Sequence, residues 1–209
     1  LVTSRGMSAV QHGKKNGFLK ASTDIKQALD GAVDAVVIAT QHNMHAAQTL
    51  QALESGKNVF VEKPLALTHE EIDKIEASQK KYKSIVMVGY NRRFSPQIQK
   101  IKKLLAAKPE PKTFIMTMNA GEISKDHWTQ DKDIGGGRII GEACHYVDLM
   151  CFLSDSSISS FNANKQRSIS SLILRGAVVG KLRNRSNPPS DACTYLIACC
   201  QANHSEELS

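Results

Sequence analysis

Blocks of apolar and polar residues alternate regularly through the first half of the chain. Residues 33–40, Val-Asp-Ala-Val-Val-Ile-Ala-Thr, are a short apolar run rich in β-formers and predict a buried strand. Val59-Phe60-Val61 predicts a second strand, and residues 85–89 a third. Between them the period changes to that of a helix. Ala46, Leu50 and Leu53 place a helix over 45–55, with Gly56 past its end. Thr68-x-x-Glu71 is a capping box that opens a helix over 70–81. Ser95-Pro96 caps and starts a further helix reaching about residue 107. Upstream, 1–4 begin as if inside a strand, and 5–15 predict a helix stopped by Asn16-Gly17. Ser22-Thr23-Asp24 supplies caps for a short helix through Leu29. Strands and helices alternating at this spacing predict an α/β fold, a doubly wound parallel sheet with right-handed crossovers.

Pro109-Glu110-Pro111 breaks that rhythm. A strand over 113–119 follows, then a polar loop ending in Gly135-Gly136-Gly137, then an amphipathic helix over 138–153. Ile140, Cys144, Val147 and Cys151 are the expected apolar stripe of that helix. From about Ser159 neither period is sustained. Residues 178–182 read as a strand, but Pro188-Pro189 and a Ser/Thr/Ala-rich end predict disorder or loose packing. Three regions result: a partial Rossmann domain over 1–110, the start of an incomplete α+β domain over 111–158, and an atypical tail over 159–209.

Composition narrows the function classes. The chain has 209 residues, and 41% hydrophobic content is enough for a core. The 27 Lys+Arg against 20 Asp+Glu are scattered over helix faces without interleaved aromatics, which argues against nucleic acid. No apolar run reaches the ~18 residues that cross a bilayer. Five cysteines without C-x-x-C spacing suit reduced thiols in the cytoplasm better than disulfides or a metal site.

The candidate chemistry gathers at two places. Glu62-Lys63-Pro64 ends the second strand, and the carboxyl ends of strands in an open α/β sheet are where ligands bind. Pro64 pushes Lys63 out of helical geometry, so the lysine is set at that edge. His145 and Asp148 stand three apart on one helical face, the aspartate suited to orienting the histidine. The glycines 135, 137 and 141 imitate a dinucleotide fingerprint. They do not sit directly between a strand and a helix, so they read as a close-approach loop instead.

Four stretches taken together resemble the Gfo/Idh/MocA oxidoreductases. They are Ile38-Ala39-Thr40-Gln41-His42-Asn43-Met44-His45, residues 56–65, Val88-Gly89-Tyr90-Asn91-Arg92-Arg93-Phe94, and residues 135–148. Gly-Gly-Gly-Arg-Ile-Ile-Gly-Glu-Ala-Cys-His is similar to the version fused behind an alcohol-dehydrogenase-like half in bacterial two-part proteins. The resemblance implies a Rossmann domain binding NAD(P), followed by an α+β domain that covers the active site and often mediates oligomers. By it, 1–4 form the second Rossmann strand, and the first strand with its phosphate loop would precede residue 1.

The implied cofactor residues are Ser4, Arg5, Thr40, Gln41, His42, Asn43, His45, Glu62, Lys63, Pro64, Asn91 and Arg92. His127, Trp128, Asp133 and Asp148 are the implied substrate side. Lys63 and His145 are the implied catalytic pair, one stabilising an alkoxide and the other taking the hydroxyl proton. No acidic residue follows Ser4 to bind a ribose 2′-hydroxyl, so Arg5 inclines the expectation towards NADP over NAD. The expected substrate is a sugar, cyclitol or nucleotide-sugar, and the expected partner a second copy or a fused dehydrogenase half. The family's Asp four residues before the histidine is replaced by Gly141, with Glu142 beside it. The alternatives are an NAD-dependent glycosidase of the same fold and a non-catalytic NAD(P)-binding sensor or scaffold.

Overall fold

The computed structural model describes residues 1–108, 112–119, 121, 123–166, 175–184 and 194–201. The chain forms two compact units, Leu1–Gly89 and Tyr90–Ser209. The division falls at Gly89 rather than near residue 110. The reason lies in the helix over Pro96–Ala106, which packs on the later helix Cys144–Ser154. Pro109-Glu110-Pro111, expected to be the joint, lies outside the described residues.

In the first unit α1 (Gly6–Lys15) starts after an extended Arg5 and stops at Asn16-Gly17, where Gly17 takes φ 73°. The expected strand at 1–4 is a single parallel bridge, Val2 to Ser22. Asp24 caps α2 (Ile25–Leu29) by accepting from the Lys26 amide at 2.9 Å. Next come β1 (Ala35–Ile38), α3 (His42–Glu54), β2 (Asn58–Val61), α4 (His69–Tyr82) and β3 (Val86–Val88). The three strands pair in parallel in the order β1-β2-β3, with Val36 opposite Val59 and Val61 opposite Val88. Each pair of strands is joined through a helix, as parallel pairing requires.

The Thr68 capping box is present with both of its bonds. The core of this unit is built from Leu29, Ile38, Leu53, Val59, Val61 and Ile75. Helix α3 begins at His42, three residues before the expected start, so the first turn carries His42 and His45 inward with Ala46 and Thr49.

In the second unit a 3₁₀ turn, Asn91–Phe94, leads into α5 (Pro96–Ala106), where Ser95 accepts from the Ile98 amide and Pro96 fills the first position. Strand β4 (Thr113–Asn119) precedes the polar loop. The helix expected over 138–153 is two pieces: a π-helical segment, Ile139–Ala143, and α6 (Cys144–Ser154). A π segment widens the turn and changes which residues face inward. Gly141, His145, Leu149 and Leu153 are buried at spacing four, with Met150 beside them. The expected stripe of Ile140, Cys144, Val147 and Cys151 is therefore displaced to the flank.

The tail, expected to be disordered or loosely packed, contributes three strands where it is described. It holds β5 (Ser156–Gln166), β6 (Arg175–Asn184) and β7 (Thr194–Gln201), in a sheet of order β4-β7-β6-β5. β5–β6 and β6–β7 are antiparallel, and β4–β7 is parallel with Thr113 opposite Tyr195. Strand β5, Ser-Ser-Ile-Ser-Ser-Phe-Asn-Ala-Asn-Lys-Gln, has no period of two, and its structure comes from cross-strand pairing. Pro188-Pro189 lie outside the described residues.

Candidate functional site

The carboxyl ends of β1 and β2 carry most of the residues implied for the cofactor. After Ile38, Thr40 and Gln41 are exposed, and the Thr40 hydroxyl donates to Gln48 Oε1 at 2.8 Å. Asn43 is exposed on the first turn of α3, while His42 is buried against it. After Val61, Glu62 and Lys63 are half-buried and Pro64 is buried, with a cis Lys63–Pro64 bond. The Glu62 amide donates to Ile38 O at 2.8 Å, so the turn stays tied to β1. A Cβ at Gly89 would stand 3.1 Å from the Glu62 carboxyl, so glycine there makes room for that side chain.

His45 does not line this edge. It is 1% exposed, and both ring nitrogens meet backbone carbonyls, Nδ1 at 2.7 Å from Pro64 O and Nε2 at 3.0 Å from Thr40 O. The expected cofactor contact is corrected to a bolt between the two strand ends. Ser4 and Arg5 are exposed at the start of α1, Arg5 as its extended N-cap.

In the second unit the turn after β3 is fastened to α6 at successive points. Tyr90 sets its ring edgewise to His145, with centroids 6.1 Å apart and planes at 72°. Arg92 lies over the Tyr146 ring at 4.7 Å, which engages one of the residues expected at the cofactor. Asn91 is exposed beside it. Arg93 grips Asp148 with both arms of its guanidinium: Nε donates to Oδ2 at 2.6 Å, and Nη2 to Oδ1. The hydrogen bond to Asp148 holds the Arg93 guanidinium above its ordinary range. Arg93 also lies 5.5 Å from the Phe152 ring, and Lys102 of α5 donates to Phe152 O at 2.6 Å.

Asp148 is thus occupied by an arginine, and the role expected for it toward substrate is corrected to that of an anchor. His145 itself is 6% exposed. Burial, followed by the nearby Cys144 and Asp148, pushes the Tyr90 phenol up to about 12.

Sequence reasoning singled out Arg92 and missed Arg93 and Tyr90. Arg93 and Asp148 are 55 residues apart, so no local spacing links them. The sequence offered only two adjacent arginines and a helical carboxylate, with nothing to join them.

In the polar loop His127 caps a 3₁₀ turn, Trp128–Gln130, with Nδ1 at 2.8 Å from Thr129 Oγ1. Its ring lies 5.8 Å from that of Trp128, which is half-buried. Asp133 is exposed, and its amide donates to Asp131 Oδ1 at 2.8 Å. Gly136 and Gly137 take φ 71° and 75°, and a Cβ at Gly135 would lie 2.3 Å from Thr129 Cα. The glycine run is a turn packed on the Trp128 segment. Among the described residues no group of three His, Cys, Asp or Glu could hold a metal, and no helix is long and apolar enough to cross a membrane.

A family model described as an oxidoreductase family with an NAD-binding Rossmann fold matches residues 2–90, the stretch that holds the parallel sheet and the Lys63 turn. Over that stretch the chain matches the Gfo/Idh/MocA oxidoreductase family. It is 30% identical over 169 residues to scyllo-inositol 2-dehydrogenase (NAD(+)) of Bacillus subtilis, a match covering 75% of this chain and 46% of that protein. A probable dehydrogenase from Thermotoga maritima superposes with a TM-score of 0.78 at 20% identity, covering 97% of this chain and 60% of that one. Levoglucosan dehydrogenase in complex with NADH and levoglucosan superposes with a TM-score of 0.75 at 23% identity, covering 97% and 56%. These two likenesses establish the fold. The chain spans less than half the length of the curated relatives that it matches.

The donor set at the β1 and β2 ends suits a dinucleotide in part. Exposed Thr40, Gln41 and Asn43 beside a half-buried Glu62-Lys63 give polar groups and one cation at the carboxyl edge of a parallel sheet. These residues do not supply the glycine turn that holds a pyrophosphate.

Proposed function

We propose that the chain acts in NAD(P)-dependent oxidation or reduction at a hydroxyl carbon of a sugar, cyclitol or nucleotide-sugar. The observation that carries this reading is the Rossmann match over 2–90, with Glu62-Lys63-Pro64 standing at the carboxyl end of β2. Relatives named as inositol and levoglucosan dehydrogenases support the substrate class.

Bound NAD(P) supplies the hydride acceptor or donor. Thr40, Gln41, His42 and Asn43 would hold it at the end of β1, and Glu62, Lys63 and Pro64 its nicotinamide side. The Lys63 ammonium stabilises the developing alkoxide and orients the reacting hydroxyl. The His145 imidazole takes the hydroxyl proton as the general base. His127 and Trp128 are the substrate-side candidates of the polar loop. Arg5 favours a 2′-phosphate, hence NADP, and a second copy or a fused dehydrogenase half would complete the assembly.

Titrating the chain with NADH and NADPH, read by nicotinamide emission and Trp128 quenching, tests the cofactor, and tighter NADPH binding is expected. Screening sugars and cyclitols for turnover then tests the chemistry. Lys63→Ala and His145→Ala are each expected to lower turnover about 10²–10⁴-fold. Turnover undiminished by Lys63→Ala would refute the assignment.

A further inference from the structure

His45 sits one turn into α3, 1% exposed, between the ends of two strands. Its Nδ1 lies 2.7 Å from Pro64 O and its Nε2 3.0 Å from Thr40 O. A backbone carbonyl oxygen only accepts hydrogen bonds, and a neutral imidazole carries a single N–H. Either neutral tautomer would therefore set a ring lone pair against a carbonyl lone pair at hydrogen-bond distance. Both contacts are satisfied together only when both nitrogens carry protons. Two carbonyl dipoles aimed at the ring give a buried cation the partners that it needs.

Opposing influences are present. His42, on the same helix, has its ring 5.7 Å away, and the amino end of a helix disfavours a positive charge. That influence fades beyond the first turn, at whose end His45 stands, whereas the two carbonyl contacts are direct.

The consequence falls on Lys63. Pro64 is its chain neighbour, and Thr40 stands two residues past the end of β1, the strand beside it. A ring that donates to both carbonyls holds the two turns at one separation, and with them the backbone from which the Lys63 side chain projects. We propose that His45 is a doubly protonated positioning residue for Lys63, bridging the Thr40 and Pro64 carbonyls at the carboxyl edge of the sheet. This rests on the reading of Lys63 as a working residue, but its first test does not.

Nitrogen-15 NMR of the histidine-labelled full chain at neutral pH reads the ring directly. Two protonated-type ring nitrogens are expected for His45, and one protonated and one bare nitrogen would overturn the proposal. The second measurement follows the Lys63 Cε–H resonance. It should move in His45→Leu, which keeps apolar volume without a donor, and return most of the way in His45→Gln, which restores one. An unmoved Lys63 resonance in a folded His45→Leu chain would also overturn it. Should the leucine variant fail to fold, His45→Gln alone decides, by a smaller shift in the same direction or by none.

In the third arm NADH affinity is expected to fall about tenfold in His45→Leu and less in His45→Gln, as for loss of charge-assisted hydrogen bonds. Lys63→Ala serves as the separate control. If it leaves turnover intact, the oxidoreductase reading fails while the nitrogen spectrum still judges His45.

Discussion

Tyr90 keeps its proton far into the alkaline range, because its half-buried place against α6 and the nearby Cys144 and Asp148 penalise the phenolate. An unfolded tyrosine titrates near ~10, and folded Tyr90 is pushed up to about 12, so the native state binds the proton more tightly. The associated stability is present below the unfolded value and is lost as pH rises between the two. Alkaline unfolding followed by circular dichroism should show a steeper fall in that window for the wild type than for Tyr90→Phe. Matching curves would mean that Tyr90 is not buried as described.

Arg93 and Asp148 make a second residue-scale prediction. The Asp148 side chain is 8% exposed and the Arg93 side chain 38%, so removing the arginine strands a carboxylate that is nearly out of water. Arg93→Met should destabilise the second unit by about 2 kcal/mol, reduced from the fully buried case by the exposure of the arginine. Arg93→Met with Asp148→Leu should recover much of that loss. Chemical denaturation of the two variants decides the matter, and equal losses would show that the pair is not coupled.

At the scale of elements, the caps explain why several boundaries were readable. Thr68 Oγ1 accepts from the Glu71 amide at 3.2 Å, and the Glu71 carboxylate accepts from the Thr68 amide at 3.2 Å. Those two bonds satisfy amides that the helix cannot satisfy itself. Thr68→Ala should cost about 1 kcal/mol of stability, and Thr68→Asp much less. Urea denaturation of the pair checks this, and equal losses would count against the cap. Elements whose ends lack such chemistry were read less well. Gln41 makes no side-chain cap bond, and α3 starts three residues earlier than its apolar spacing indicates. The π-helical turn at Ile139–Ala143 has no signature of its own beyond Gly141, yet it settles which face of α6 carries His145 inward.

At the scale of the whole molecule, the first unit has a core of its own. Leu29, Ile38, Leu53, Val59, Val61 and Ile75 all lie before Gly89, so the apolar surface that stabilises this unit belongs to it. A piece comprising residues 1–89 should therefore unfold cooperatively on heating. A gradual, non-cooperative melt would show that the unit depends on the rest of the chain. The family match ends at residue 90, at the same division.

The sequence by itself determined the parallel α/β layout, the capped helices and the placing of Lys63 at a strand end. Each of these follows from backbone chemistry within a few residues: a period of apolar positions, a capping hydroxyl, a proline. Its four short motifs also identified the family, because their order and spacing survive without any contact being known. Only the tertiary structure decided the rest. It made His45 a bolt to Pro64, 19 residues away, and gave Asp148 to Arg93, 55 residues away. It also paired β5, β6 and β7, whose residues show no period of two. Contacts of this kind are chosen by packing and by the cost of a buried unpaired charge or carbonyl, and they leave no periodic trace along the chain.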